Sequence, residues 1–235
     1  MEESRRMDEQ AQSLIEIIHF TENVATKIYG VLDEAEIFRA VREEFAKSKR
    51  YNSTIFLLAD DGLKLRIVEA SVISPEKLKA AEKATGLRLK EYRIDLKKSS
   101  ILSQVATEGK TIQTTVYDVV GELFPQWLAK LISKIMGFKR EKDILTPLYR
   151  SGKIIGVISM SSPELAEYFI PSVRSLAQHI STALELADEY AERKKMEEEL
   201  ETKARLLDAA TDSITLRDFD GNYLYVNEAT SKSRD

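Results

Sequence analysis

The chain reads as a mixed α+β domain built on an antiparallel sheet, and three observations predict it. Apolar spacing switches between the two regular periods: helical over 8–29, strand-like over 54–59 and 65–73, and strand-like again over 143–149 and 153–160. Tight turns, Asp61-Gly62 and Ser151-Gly152, join neighbouring strands, so they pair as hairpins rather than through parallel crossovers. Helical patterns open and close the series, and each has an apolar stripe that a sheet face can cover.

Each element follows from its residues. In the first helix Leu14, Ile18, Ala25, Ile28 and Leu32 fall at alternating steps of three and four, with Thr21 in the series. That spacing serves a core stripe or a heptad seam. Asp33 caps a second helix, with Glu36 completing a capping box and Ile37, Phe38, Val41 and Phe45 on the buried face. Strands over 54–59 and 65–73 follow. Pro75 opens a short helix that ends at Gly86, and a third strand spans 88–96. Residues 100–109 form a short helix stopped by Gly109, and 111–115 a brief strand. The segment VYDVVGELFPQWLAKLISKIMGFK (116–139) is broken at Pro125. After it Trp127, Leu128, Leu131, Ile132, Ile135 and Met136 cover a wide helical stripe. The 143–149 and 153–160 hairpin precedes a last helix that starts near Pro171.

That helix is long. Val173, Leu176, Ile180, Ala183, Ala187 and Tyr190 keep a heptad step, and Met196, Leu200 and Leu207 resume it after a charged run. Roughly 40 residues of helix would span about 60 Å, a length that suggests a coiled coil. Beyond it, DFDGNYLYVNEAT (218–230) sets Asp220-Gly221 between two β-prone runs.

Composition narrows the function. The chain has 235 residues, a net charge of −4 and no cysteine. The charge argues against general nucleic-acid binding. The missing thiols remove disulfides, thiolate metal sites, cysteine nucleophiles and thioether attachment. No apolar run is long enough for a membrane helix, and the N-terminus is too polar for a signal peptide, so the expected location is the cytoplasm. No phosphate-binding glycine loop, Gly-x-Ser-x-Gly elbow or H-E-x-x-H is present, and Asp60-Asp61 reads as a turn. No catalytic or metal-binding set emerges.

Three stretches carry a family resemblance. ILTPLYRSGKIIGVISMSS (144–162) resembles the final hairpin of GAF domains, SILSQVATEGKTIQTT (100–115) the helix and strand before it, and VRSLAQHISTALELA (173–187) the closing helix. LLDAATDSITLRDFDGNYLYVNEAT (206–230) resembles the start of a PAS domain. The resemblance implies a GAF-like sensory domain over 1–190, a helical coiled-coil linker over 191–211 and an incomplete PAS start over 212–235, since a PAS fold needs roughly 100 residues. It places the chain in a signal-transduction sensor, such as a two-component protein, with further PAS and output domains downstream. An unfinished hairpin over 213–235 is expected to be poorly ordered or paired with another molecule.

The family's chemistries can be weighed residue by residue. The cyclic-nucleotide pattern Asn-Lys…Phe-x-x-x-Asp-Glu is missing: there is no Asn-Lys, and Phe138 leads to Lys142-Asp143. Covalent bilin attachment, cysteine-ligated haem and the methionine-sulfoxide reductases of this fold all use cysteine. Only His19 and His179 could ligate a haem, and both sit at helix positions that surface histidines commonly occupy. His179 also lacks the acidic residue that follows a phosphoacceptor histidine. No cofactor is assigned. What remains is a sensor for an unknown small molecule or a ligand-free dimerisation and relay module. Tyr92, Tyr117, Phe124, Trp127, Leu128 and Ile144 are the expected ligand-lining residues, with segment 116–139 closing a cavity over the sheet. Leu14, Ile18, Ile28, Val173, Ile180 and Tyr190 are the expected seam of a parallel homodimer.

Overall fold

The computed structural model describes residues 2–71, 75–86, 88, 91–138 and 141–232. They form two compact units, Met1–Ala187 and Asp188–Asp235.

In the first unit, α1 (Glu2–Ile28) and α2 (Glu34–Ser48) precede the hairpin β1 (Asn52–Leu58) and β2 (Lys64–Ala70). The expected capping box is half realised: the Asp33 carboxylate accepts from the Glu36 N–H at 2.9 Å. α3 (Pro75–Thr85), β3 (Arg93–Asp95), α4 (Ser100–Glu108) and β4 (Ile112–Thr115) follow. The expected strand over 88–96 shrinks to three residues because the N–H groups of Glu91 and Tyr92 turn back onto the Arg88 carbonyl. Leu89 and Lys90 of that stretch, and Val72 and Ile73 at the end of the expected second strand, lie outside the described residues. Residues 116–138 hold two helices, α5 (Val116–Leu123) and α6 (Gln126–Met136), separated at Pro125. β5 (Lys142–Arg150) and β6 (Lys153–Ser162) close the sheet. Ser151 and Gly152 both have positive φ, 50° and 72°, as the two-residue turn of this hairpin requires.

The sheet is antiparallel, in the order β3-β2-β1-β6-β5-β4. Pro147 sits within β5 without breaking it, because β4 pairs only with Lys142–Leu145 and leaves the Pro147 edge open.

Alternation along the strands makes two layers. On one face Ile55, Leu57, Ile144, Leu148, Ile158 and Met160 pack against α1, α2 and the first part of α7 (Ile170–Asp208). On the other, Phe56, Leu145 and Val157 pack with Leu65, Ile94, α4 and Val119 of α5. Arg50 ties the first layer together at its rim, bonding both Glu16 and Glu164.

The expected dimer seam changes here. Ile28, Val173 and Ile180 are fully buried in the first layer, so the chain's own core uses them. Leu14 is half-buried against that core, while Ile18 and Tyr190 are exposed. The reason is phase: α1 turns Ile17, Thr21, Val24 and Ile28 inward, a stripe that keeps Thr21 and Ile28 of the expected series but takes Ile17 and Val24 in place of Ile18 and Ala25.

The second unit contains the remainder of α7, β7 (Thr215–Arg217), β8 (Tyr223–Val226) and α8 (Glu228–Lys232). Its described residues make a paired hairpin, β7 with β8. One side chain accounts for this. Asn227 is fully buried, its amide donates to the carbonyls of Leu207, Ala210 and Asp212, and its oxygen accepts from the N–H of Ile214 and Thr230. The apolar strand residues Leu216 and Leu224 stay exposed.

Candidate functional site

Residues 116–138 fold as a cover over the second face of the sheet; Lys139 of the expected segment lies outside the described residues. Thr115 caps α5 by accepting from the Asp118 N–H at 3.1 Å. Glu122, one turn on, accepts from the Ser99 hydroxyl at 2.7 Å and the Ile101 N–H at 3.0 Å, which fixes α5 to the start of α4. α6 starts again beyond Pro125 and stops at Gly137, where φ is 90°. Its buried stripe is Leu128, Ala129, Ile132, Ser133 and Met136.

Beneath these helices lies a cavity of about 110 Å³. Its floor is Thr54, Phe56, Ile67, Ile94, Asp143 and Ser159 of the sheet, and its walls come from α3, α5 and α6 with Tyr92, Phe124 and Phe138. The Tyr92 and Phe124 rings meet at 5.2 Å between centroids and close one side. Burial pushes the Tyr92 hydroxyl above its ordinary pKa, so it stays neutral at physiological pH.

One lining residue is acidic. Asp143 is 2% exposed. It stands on β5 between Thr114 of β4 and Ser161 of β6, and the Ser159 hydroxyl donates to its Oδ1 at 2.7 Å. Burial pushes the carboxyl up to about 7, against the lowering effect of the Ser159 bond, and Glu141 raises it further. Among the described residues no cation lies within ion-pair reach of it.

The sequence-predicted lining residues separate. Tyr92 and Phe124 come together on the cavity. Tyr117 is half-buried and off the lining. Leu128 is buried in the apolar cluster between α3 and α6, with Ala81 and Ile132. Trp127 is 66% exposed, since it precedes the inward stripe of α6 by one position and turns to solvent. Ile144 belongs to the opposite layer, against α1, α2 and α7. The residue before it, Asp143, reaches the cavity because successive strand residues point to opposite faces. Thr54, Thr85, Asp143 and Ser159 are polar lining residues that sequence reading missed; for Asp143, an acidic residue opening an otherwise apolar strand, DILTPLY, was the available signal. His19 and His179 are both exposed and off the cavity. Among the described residues no group of three acidic, cysteine or histidine side chains could hold a metal ion. Nor is any described helix long and apolar enough to cross a membrane.

No family model matches the chain, and no characterised protein sequence matches it significantly. Solved structures share its fold. A segment of a methyl-accepting chemotaxis protein aligns at a TM-score of 0.52 and 13% identity, over 72% of this chain and 98% of that one. The A. aeolicus nlh2 GAF domain, in an inactive state, aligns at 0.52 and 14% identity, over 73% of this chain and 97% of that one. The free methionine-R-sulfoxide reductase of Neisseria meningitidis, solved with its substrate, aligns at 0.53 and 13% identity, over 76% and 93%. The fold is therefore GAF-like, a mixed helix and sheet architecture with a long C-terminal helix.

Proposed function

We propose that the chain is a non-enzymatic sensory and regulatory module of a signal-transduction protein. A small molecule binds in the cavity under α5 and α6, and α7 carries the change toward residues 212–235. The observation that carries this reading is the cavity itself. An apolar space over a sheet, covered by two short helices broken at Pro125, is what a binding site with a movable cover needs. The same fold in a chemotaxis protein and in a GAF domain captured in an inactive state supports a signalling role. The same fold in a reductase does not bring catalysis with it, because function lives in the site and this chain has no cysteine.

The Asp-Gly hairpin and the buried Asn227 support reading 212–235 as the start of a PAS domain, with an output domain in a longer chain. The working assembly is a homodimer. After the core is made, Ile15 and Ile18 of α1 and Leu186 of α7 remain exposed, apolar side chains suited to a helical seam. Sedimentation at micromolar concentration tests this. A dimer lost in Ile18→Glu supports it, and a clean monomer overturns it.

The small size of the cavity favours a second reading, a relay module that binds nothing. Thermal stability and hydrogen exchange, measured across small hydrophobic, nucleotide and tetrapyrrole compounds, separate the two. Slower exchange confined to α5 and α6 with a raised Tm supports sensing. No stabilisation by any compound leaves the relay.

A further inference from the structure

We propose that the cavity under α5 and α6 selects a small organic amine, an apolar body of about one aromatic ring whose ammonium group seats on Asp143. This rests on reading the cavity as a ligand site.

Size sets the first limit. A cavity of about 110 Å³ is somewhat smaller than the engineered cavity of ~150 Å³ that takes up benzene. That scale limits a ligand to about one ring or a short alkyl chain, and a nucleotide or tetrapyrrole exceeds it.

Polarity sets the second. Phe56, Ile67, Ile94, Val119 and Phe124 give the body of the ligand an apolar wall. Asp143 is the one described lining residue that can carry charge at neutral pH, and its sign is negative. Ser159 engages Oδ1. A carboxylate can accept several further hydrogen bonds, and among the described residues no cation supplies one. Burying it there is costly unless it is paired, and an ammonium group pairs it by a charge-assisted hydrogen bond. A ligand carboxylate in the same place would meet a like charge in a poorly solvated space, so anions are rejected by the feature that attracts the amine. The raised carboxyl adds a signature: an ammonium ligand favours the ionised form, so binding near pH 6 expels the carboxyl proton.

The test uses the full chain and three matched probes, phenethylamine, ethylbenzene and phenylacetate, followed by calorimetric titration and thermal shift. Phenethylamine should bind at least ~10-fold more tightly than ethylbenzene, and phenylacetate should not bind. Near pH 6 its binding enthalpy should vary with the ionisation enthalpy of the buffer, reporting proton release. In Asp143→Asn the preference for the amine should vanish while ethylbenzene binding persists. Ethylbenzene binding as tightly as phenethylamine in the unaltered chain overturns the amine proposal and leaves the cavity as a ligand site. Binding of none of the three overturns both. Tight phenethylamine binding that survives Asp143→Asn with no proton release places the amine elsewhere and also overturns the proposal.

Discussion

The Ser159 hydroxyl on β6 donates a 2.7 Å hydrogen bond to a carboxyl, Asp143 on β5, that is almost completely buried. That bond favours the ionised form, but burial outweighs it and holds the carboxyl at about 7. The charged group acting on it, Glu141, pushes the same way, and Tyr92 across the cavity stays neutral over the range concerned.

A stability change with pH follows from this. The native state holds the Asp143 proton more tightly than the unfolded chain does, so stability from this group is complete below the ordinary value of 3.8 and is lost as pH rises to about 7. The bound on the loss is on the order of 4 kcal/mol, from 1.36 kcal/mol per pKa unit. Asp143→Asn keeps the shape and an acceptor for Ser159 but cannot ionise. Relative to the unaltered chain, the variant should gain stability between pH 4.5 and 7.5 and then hold level. Urea denaturation across that range checks it, and a difference that shrinks with rising pH contradicts it.

Two residues of α6 should respond in opposite ways. Ile132 is buried on the cavity and in the α3–α6 cluster, so Ile132→Ala should cost about 2–4 kcal/mol. Trp127 is exposed, so Trp127→Ala should change stability by less than ~0.5 kcal/mol. The emission of this single tryptophan should be that of hydrated indole and readily quenched by acrylamide. A blue, protected emission would return Trp127 to the interior.

Much of the fold was legible because it rests on local signals. The Asp33 cap, the Ser151-Gly152 turn, the Gly109 stop and the buried set Ile37, Phe38, Val41 and Phe45 all stand where their residue types require. What was not legible is phase and face. A three–four apolar step gives a stripe but not what covers it, so Val173 and Ile180 read equally well as a seam and as the core they join. Trp127 and Leu128 are neighbours in sequence, and one-position phase alone decides which is wet. Asp143 and Ile144 are separated the same way by strand alternation. The site depends on β4, β5 and β6 meeting in register, a long-range fact that no local pattern carries.

Gly156 and Gly121 should also behave oppositely. A Cβ on Gly156 would lie 2.1 Å from the Phe56 carbonyl oxygen and 2.9 Å from a Leu57 methyl group, where β6 runs beside β1. Backbone cannot give way cheaply inside a sheet, so Gly156→Ala should cost at least ~1–3 kcal/mol. Gly121 lies in α5 with ordinary φ, and a Cβ there meets nothing within 4 Å. Gly121→Ala should stabilise by about 0.5–1 kcal/mol. Denaturant midpoints decide both, and equal effects would show that the β1–β6 approach is looser than described.

Asn227 should govern the hairpin of the second unit. A two-stranded hairpin is marginal in water, and Leu216 and Leu224 of this one are exposed, so packing adds little. The buried Asn227 amide supplies what packing does not, joining the end of α7, the turn at Ala210–Asp212 and the starts of β7 and α8. The Thr230 hydroxyl also donates to Asn227 Oδ1 at 2.7 Å. Replacing Asn227 by alanine leaves three carbonyls and two N–H groups without this partner, and each buried group left unmet costs about 1–3 kcal/mol. In Asn227→Ala the amides of Ile214 and Thr230 should exchange at rates near those of an unfolded segment. Residues 2–187 form a compact unit of their own, so their exchange and their thermal transition should stay unchanged. Hydrogen exchange read residue by residue measures both. Retained protection at Ile214 in the variant would mean that strand pairing alone holds the hairpin, and that the Asn227 hydrogen bonds follow from its formation rather than cause it.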